Sequence, residues 1–289
     1  MLDLCFTAFD HGITHFDLAN NYGPVPGSAE KNFGRILKEE LAPYRDELII
    51  STKAGYEMWD GPYGNWGSRK HILASLDQSL NRMQLDYVDI FYHHRMDPNT
   101  PLRETMLALA QAVQSGKALY VALSNYDGPT MAQAYQILDE LNVPYVLNQN
   151  RYNLLDRTIE QNGLLATSQE KQVGIITFSP LAQGQLTNRY LDGIPADSRI
   201  ARDPRYLTED ALNQTKINAL RQLNQIAEQR GETLAQMALK WNLKNDAITS
   251  VLIGASKAAQ IIDNVGVLHS PDFSDEELQL IEQIVQPLL

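Results

Sequence analysis

Four residues of this chain carry side chains suited to moving a proton onto an oxygen atom: Asp17, Tyr22, Lys53 and His94. Each stands at, or just beyond, the C-terminal end of an apolar run of strand length, as in Leu48-Ile-Ile-Ser-Thr-Lys53 and Val88-Asp-Ile-Phe-Tyr-His-His94. In a parallel α/β barrel such ends share one face, where catalytic loops sit. A carboxylate, a phenol, an ammonium and an imidazole delivered to one place suit carbonyl reduction. Hydride arriving at a carbonyl carbon leaves negative charge on oxygen, so a proton donor must stand within hydrogen-bond reach. A free phenol has a pKa of about 10 and is a sluggish acid near neutrality. A lysine ammonium beside it favours the phenolate and is expected to lower that pKa, while a carboxylate keeps the lysine charged and in place. Tyr22 is therefore the expected acid, Lys53 its tuner, Asp17 the anchor and His94 the group that orients the carbonyl oxygen. Singly, each has an ordinary explanation: Tyr22 as one of 13 tyrosines in loop packing, Lys53 as a strand end surfacing, Asp17 as a turn residue. The constellation carries the argument. His93 and His94 are adjacent, and on an extended strand they point to opposite faces, so only one of them reaches the site.

The elements that must position these residues are strand-length runs alternating with amphipathic helices. The expected strands are Thr14–Leu18, Leu48–Thr52, Val88–Tyr92, Leu119–Leu123, Tyr145–Leu147, Gly174–Phe178 and Thr249–Ile253. Their nearly continuous apolar character suits strands covered by helices. Between them, Ser68 can cap a helix that places Ile72, Leu73, Leu76, Leu80 and Met83 on one face. Thr100-Pro101 reads as an N-cap with proline at the first helical position, ended by Gly116, and Ser274 with Glu277 forms a capping box flanked by a Phe273–Leu278 staple. The alternation implies a parallel sheet, open and doubly wound or closed as a barrel. Seven strands are one short of a closed barrel of this kind, and the chain opens on a helix from Leu2 to His11 ended by Gly12. A strand lying upstream of this sequence is the expected reason, since an open barrel exposes an unpaired edge.

The length of 289 residues suits one barrel domain spanning residues 1–289. A formal net charge of −11 argues against a nucleic-acid partner, which needs a basic footprint. Any phosphate must be held by a few local cations. No apolar run reaches the roughly 18 residues of a membrane span, no signal peptide is visible, and Cys5 stands alone, so neither an intrachain disulfide nor a thiolate metal cluster is expected. Together these favour the cytoplasm. No G-x-G-x-x-G follows a strand and no H-E-x-x-H appears, so neither a Rossmann domain nor a metal site is expected.

Gly12-Ile-Thr-His-Phe-Asp17-Leu-Ala-Asn-Asn-Tyr22-Gly, Ile50-Ser-Thr-Lys53 and Asp89-Ile-Phe-Tyr-His-His94-Arg95 resemble the signatures of aldo-keto reductases. The likeness continues through Leu123-Ser124-Asn125, Gln149, Phe178-Ser-Pro-Leu-Ala-Gln-Gly184 and Leu252-Ile-Gly254-Ala-Ser256, in the family's order and over nearly the whole chain. Ser68-Arg-Lys, Leu85-Asp-Tyr-Val-Asp-Ile and Gly116-Lys-Ala-Leu-Tyr are similar to the branch holding potassium-channel β subunits and their bacterial reductase relatives. The resemblance implies a (β/α)8 TIM barrel, its first strand absent from this sequence, that reduces small aldehydes with NADPH, the substrate being of the kind of L-glyceraldehyde 3-phosphate or methylglyoxal. It selects His94 over His93. It implies that Ser124, Asn125 and Gln149 bind the nicotinamide carboxamide, that Phe178 stacks on the ring, and that Ser179, Leu181, Gly184 and Leu186 surround the pyrophosphate. Arg189, Arg199, Ser256, Lys257 and Gln260 then face the adenosine phosphate, with Asp263 and Asn264 near the adenine and Gly254 a further cofactor contact. Gln185 stands where the family implies an apolar residue. Relatives in this branch form tetramers or octamers, which implies a homo-oligomer. The branch also admits a cofactor-binding regulatory subunit of an ion channel as the alternative function. The aromatic loop Gly55–Trp66, with Trp59 as the chosen contact, is expected to line the substrate pocket.

Overall fold

The computed structural model describes residues 1–195 and 212–289, so Arg199 lies outside the described residues. Seven strands form, at the places where the apolar runs fall: β1 (His15–Asp17), β2 (Ile49–Ala54), β3 (Val88–His93), β4 (Ala118–Ser124), β5 (Tyr145–Arg151), β6 (Gly174–Phe178) and β7 (Ile248–Val251). They are neighbours in chain order, β1 through β7. The ladders from β1 to β5 are parallel, which is what a helix returning the chain after each strand produces. No helix among the described residues is long and apolar enough to cross a membrane.

The chain divides into two compact units, Met1–Asn150 with Asn162–Ile175, and Arg151–Gln161 with Ile176–Leu289, so that β6 contributes to both. In the first unit, α1 (Leu2–Asp10), α2 (Ser28–Ile36), α3 (Arg69–Met83), α4 (Leu102–Gln114) and α5 (Gly128–Glu140) alternate with the strands. Helix α3 shows why its sequence folds as it does. Ser68 caps it by accepting from the His71 N–H at 3.3 Å. Ile72, Leu76, Leu80 and Met83 recur at helical spacing and are buried together, each contributing about 1.5–3 kcal/mol of apolar burial. Its last turn passes so close to α2 that a Cβ on Gly34 would stand 2.5 Å from Met83 Cα. Only glycine fits that crossing. Helix α4 departs from expectation: Pro101 occupies the cap position without a side-chain bond. The amides of Asn99 and Thr100 instead donate to Asp97 Oδ1, at 2.7 and 3.2 Å. Asp97, three residues before Thr100, thus gathers the amides of the turn that enters the helix.

Register brings the strand ends level. Asp17 pairs with Ser51, Lys53 with Tyr92, Ala54 with His93, and Ser124 with Gln149. Among them Ile90, Tyr92 and Ala122 form a buried cluster packed by Val146 and Leu147.

The second unit holds α6 (Thr158–Gln161), α8 (Gln214–Gln229), α9 (Leu234–Leu243), α10 (Ala258–Val265) and α11 (Asp275–Val285), while α7 (Leu164–Lys171) belongs to the first. Thr233 with Gln236 caps α9, and Ser274 with Glu277 caps α11 as the sequence predicts. Phe273 lies under the Arg230 guanidinium at 3.9 Å. Strand β7 meets β6 through the Leu252 N–H, which donates to Thr177 O at 2.8 Å.

Candidate active site

Three adjacent strand ends of the first unit assemble Asp17, Tyr22, Lys53 and His94. The Lys53 ammonium is fully buried and has three hydrogens to place. Nζ lies 2.5 Å from Asp17 Oδ2, 2.8 Å from Leu18 O and 3.4 Å from Tyr22 Oη. It also lies 4.9 Å from the Tyr22 ring centre and 5.4 Å from that of Tyr92, so two phenols flank the cation. Asp17 is held from its other side. Oδ1 accepts from Ser51 Oγ at 2.7 Å and from Gln149 Nε2 at 3.1 Å, and His15 Nε2 stands 2.9 Å from Ser51 Oγ. The His94 ring stands edge-on to Tyr22 at 5.9 Å and to Tyr56 at 4.7 Å.

The electrostatics follow from burial. Desolvation works against the Lys53 ammonium, but Asp17 and then Tyr22 outweigh it and hold the group above the ordinary lysine value. Burial also dominates at Tyr22 and pushes the phenol up; Lys53 pulls it back without overcoming that rise, and Asp17 adds to it. The lowered phenol expected from a neighbouring lysine is thus not the net result, because the order of residues carries no measure of desolvation. The phenol keeps its proton at neutral pH and is available as a donor. Burial, then Lys53, His93 and Arg95, holds His94 well below the usual histidine value, so its imidazole is neutral. A neutral ring carries one N–H to offer a carbonyl oxygen.

His93 faces elsewhere. Its Nδ1 lies 2.6 Å from Tyr126 Oη, and its Nε2 is so near Gly67 that a Cβ there would stand 2.8 Å away. Burial depresses its pKa to about 3. Beside His94, Asn125 adopts a left-handed backbone (φ 58°), and its Nδ2 donates to His94 O at 2.9 Å and to Ser124 Oγ at 3.2 Å. The Asn125 N–H donates to Gln149 O at 2.9 Å. Ser124, Asn125 and Gln149 are therefore joined at neighbouring strand ends, and Asn125 Oδ1 accepts from none of the described residues.

Tyr56, Ser51, Tyr92, His15 and Arg95 are drawn into this cluster without having been singled out by sequence. Ser51 had a legible signal, since positions i and i+2 of a strand share a face and Lys53 was already named. Trp59 packs its ring on His71 at 5.0 Å, and the aromatic of that loop beside His94 is Tyr56.

In the second unit, Phe178 is half-buried at the end of β6, with the Arg151 guanidinium 5.7 Å from its ring centre. The loop that follows turns sharply, with Ser179, Gln183 and Gly184 at φ of 53°, 61° and 91°. Leu181 is half-buried and Leu186 fully so. Gln185 is buried, its Nε2 donating to Ala182 O at 3.0 Å while its Oε1 meets no partner among the described residues. Arg189, Gly254, Ser256, Lys257 and Gln260 are exposed. Gln260 Oε1 gathers the N–H groups of Ser256 and Lys257, at 2.8 and 3.2 Å. Asp263 is occupied by Gln236 and Thr233, at 3.2 and 3.4 Å, and Asn264 is buried.

A family model described as "Aldo/keto reductase family" matches residues 2–286. The chain is 60% identical over 279 residues to the L-glyceraldehyde 3-phosphate reductase of Escherichia coli strain K12, covering 96% of this chain and 81% of that protein. It is 35% identical over 288 residues to a protein of Arabidopsis thaliana named as a probable voltage-gated potassium channel subunit beta, covering 96% of this chain and 84% of that one. With a buried lysine bridging carboxylate and phenol beside a neutral histidine, and with likeness along nearly its whole length, the chain belongs to the aldo/keto reductase family.

Proposed function

We propose that this protein reduces small aldehydes to alcohols with NADPH on a (β/α)8 barrel, Tyr22 acting as the general acid. The observation that carries this reading is the Lys53 ammonium held between Asp17 and Tyr22, with His94 edge-on to the same phenol. NADPH, when bound, supplies the hydride. Ser124, Asn125 and Gln149 would hold its carboxamide, and the open Oδ1 of Asn125 fits an amide donor. Phe178 would stack on the ring, while Ser179, Leu181, Gly184 and Leu186 would line the pyrophosphate. Lys257, Arg189, Arg199, Ser256 and Gln260 would face the adenosine phosphate, with Asp263 and Asn264 near the adenine and Gly254 a further cofactor contact. Lys257 starts a helix, exposed and with no carboxylate partner among the described residues, a position that favours an anion over a cation.

The protein's own residues then divide the work. His94 donates to the aldehyde oxygen and fixes its orientation, and Trp59 closes the loop side of the pocket. As charge grows on that oxygen, Tyr22 Oη gives up its proton, and the adjacent Lys53 ammonium stabilises the phenolate left behind. Asp17 keeps Lys53 charged throughout. The 60% identity to a protein named L-glyceraldehyde 3-phosphate reductase supports that aldehyde as substrate, with methylglyoxal a second candidate. A channel-subunit role rests on relatives of lower identity, at 35–37%.

Purified protein assayed with L-glyceraldehyde 3-phosphate, methylglyoxal and L-glyceraldehyde should oxidise NADPH in step with alcohol formation. NADPH should be preferred to NADH by about 10-fold or more, the worth of one charge-assisted contact to the extra phosphate. Replacing Lys257 and Arg199 together by alanine should weaken NADPH binding and leave NADH nearly unchanged. No turnover with any aldehyde and either cofactor would sink the proposal.

The two histidines should separate cleanly. His94→Ala is expected to lose most activity with the fold intact, and His93→Ala to lose mainly stability. His93 is held at about 3 in the folded protein, against about 6.5 when unfolded. The unfolded chain therefore binds the extra proton first, and the stability contributed by neutral His93 is present above pH 6.5 and lost as pH falls toward 3. Thermal melts across that window should show a shallower acid-side decline in His93→Ala than in the wild type. A steeper decline would contradict the assignment.

A further inference from the structure

Arg95 follows His94 directly and is clamped rather than paired. Its guanidinium carbon lies 4.2 Å from the ring centre of Tyr56 and 3.7 Å from that of Trp66, so aromatic faces flank the planar cation. Nε donates to Gly55 O at 3.0 Å and one Nη to Asn65 Oδ1 at 2.8 Å. Both acceptors are neutral. No carboxylate among the described residues forms an ion pair with it. Asp97, whose charge acts on it from a distance beyond an ion pair, already spends Oδ1 on the amides of Asn99 and Thr100 and Oδ2 on that of Gly67. An arginine has five N–H donors, and this one leaves three of them uncommitted among the described residues.

The clamp also fixes where that charge stands. Gly55 packs against the strand end so tightly that a Cβ would lie 3.1 Å from His94 Cβ and 3.4 Å from Arg95 N. The Tyr56 ring lies 4.7 Å from the His94 ring on one side and 4.2 Å from the guanidinium carbon on another, which puts the cation within about 9 Å of His94. An extended aldehyde with a phosphate on its third carbon separates carbonyl oxygen from phosphorus by about 6 Å, five bonds of roughly 1.5 Å in zigzag. With a hydrogen bond of about 2.8 Å at each end its full reach is about 12 Å, so such a molecule, bent rather than fully extended, bridges the imidazole and the guanidinium.

We infer that Arg95 is the anion-recognition residue of the substrate site and takes the phosphate of a phosphorylated three-carbon aldehyde. This rests on the proposed aldehyde reductase activity and adds to it a preference for anionic substrates. A planar fork with uncommitted donors matches phosphate oxygens better than an ammonium does. The pre-set orientation means little rotamer freedom is lost on binding. In a protein of net charge −11, a clamped and unpaired cation is a feature that needs a ligand to account for it.

The test compares L-glyceraldehyde 3-phosphate with L-glyceraldehyde, which differs only by the phosphate, in the wild type, Arg95→Lys and Arg95→Gln. The wild type should prefer the phosphorylated aldehyde in kcat/KM, and inorganic phosphate should inhibit glyceraldehyde reduction competitively with the aldehyde at saturating NADPH. Both variants should lose about 30- to 100-fold more in kcat/KM for the phosphorylated aldehyde than for glyceraldehyde, the difference lying chiefly in KM. Equal losses for the two substrates would make Arg95 a structural clamp only. A wild type that reduces glyceraldehyde without preferring the phosphorylated form or responding to phosphate would overturn the inference and leave the reductase reading standing. A wild type that reduces neither, nor any other aldehyde, would sink both.

Discussion

Tyr22→Phe should lower kcat for aldehyde reduction by about 10²-fold or more and leave NADPH affinity within about 2-fold of the wild type. The change removes one oxygen and the transferable proton, and general acids contribute about 10²–10⁴ to rate. Stability should change little, because Tyr22 Oη makes a single long contact of 3.4 Å to Lys53. Burial raises the phenol above its ordinary value of 10, and reduction needs the protonated form. The activity carried by the phenol is therefore expected to persist across neutral pH and to fade only above about pH 10. Rapid-quench measurement of hydride transfer checks the assignment, and near-wild-type rates in Tyr22→Phe would remove Tyr22 from the mechanism.

Lys53→Met should be the more damaging change, since it abolishes turnover and unsettles the fold together. The methionine keeps the stem but withdraws the ammonium from Asp17, whose side chain is 8% exposed and then holds only the Ser51 and Gln149 donors. Stranding a buried carboxylate costs about 3–5 kcal/mol. The double variant Asp17→Asn with Lys53→Met leaves no charge stranded, so it should recover much of the lost Tm while remaining inactive. Calorimetry of the three proteins gives the answer. A double variant as unstable as Lys53→Met alone would mean that packing, and not the ion pair, is what Lys53 provides.

Strands β2 and β3 were legible because both of their faces are largely buried, which leaves nearly continuous apolar runs. Strand β5 was expected to end at Leu147, yet it continues to Arg151 through Asn148, Gln149 and Asn150. Polar residues end an apolar signal, but here Asn148 and Asn150 donate to Tyr126 O at 3.4 and 3.3 Å, a partner more than twenty residues away. No local pattern announces such a bond. The Asp17, Tyr22, Lys53 and His94 constellation was legible because strand ends share one face. Tyr56 and Arg95 were not, because their meeting depends on how the loop after β2 folds over the end of β3. The direction of the Tyr22 shift was likewise invisible, being set by how much water the finished fold excludes.

The bond from Gln149 to Asp17 joins residues 132 positions apart. Closing so long a stretch of chain is an entropic cost that neither α2 nor α3 has to meet in order to form. During synthesis the carboxylate, the lysine and the phenol leave the ribosome early, while the glutamine that completes the anchor emerges only after β4 and α5 have been made. The nascent chain thus carries its chemistry long before it carries its complete geometry, and a polypeptide stopped short of β5 would hold all four reactive groups without the last of the bonds that fix Asp17.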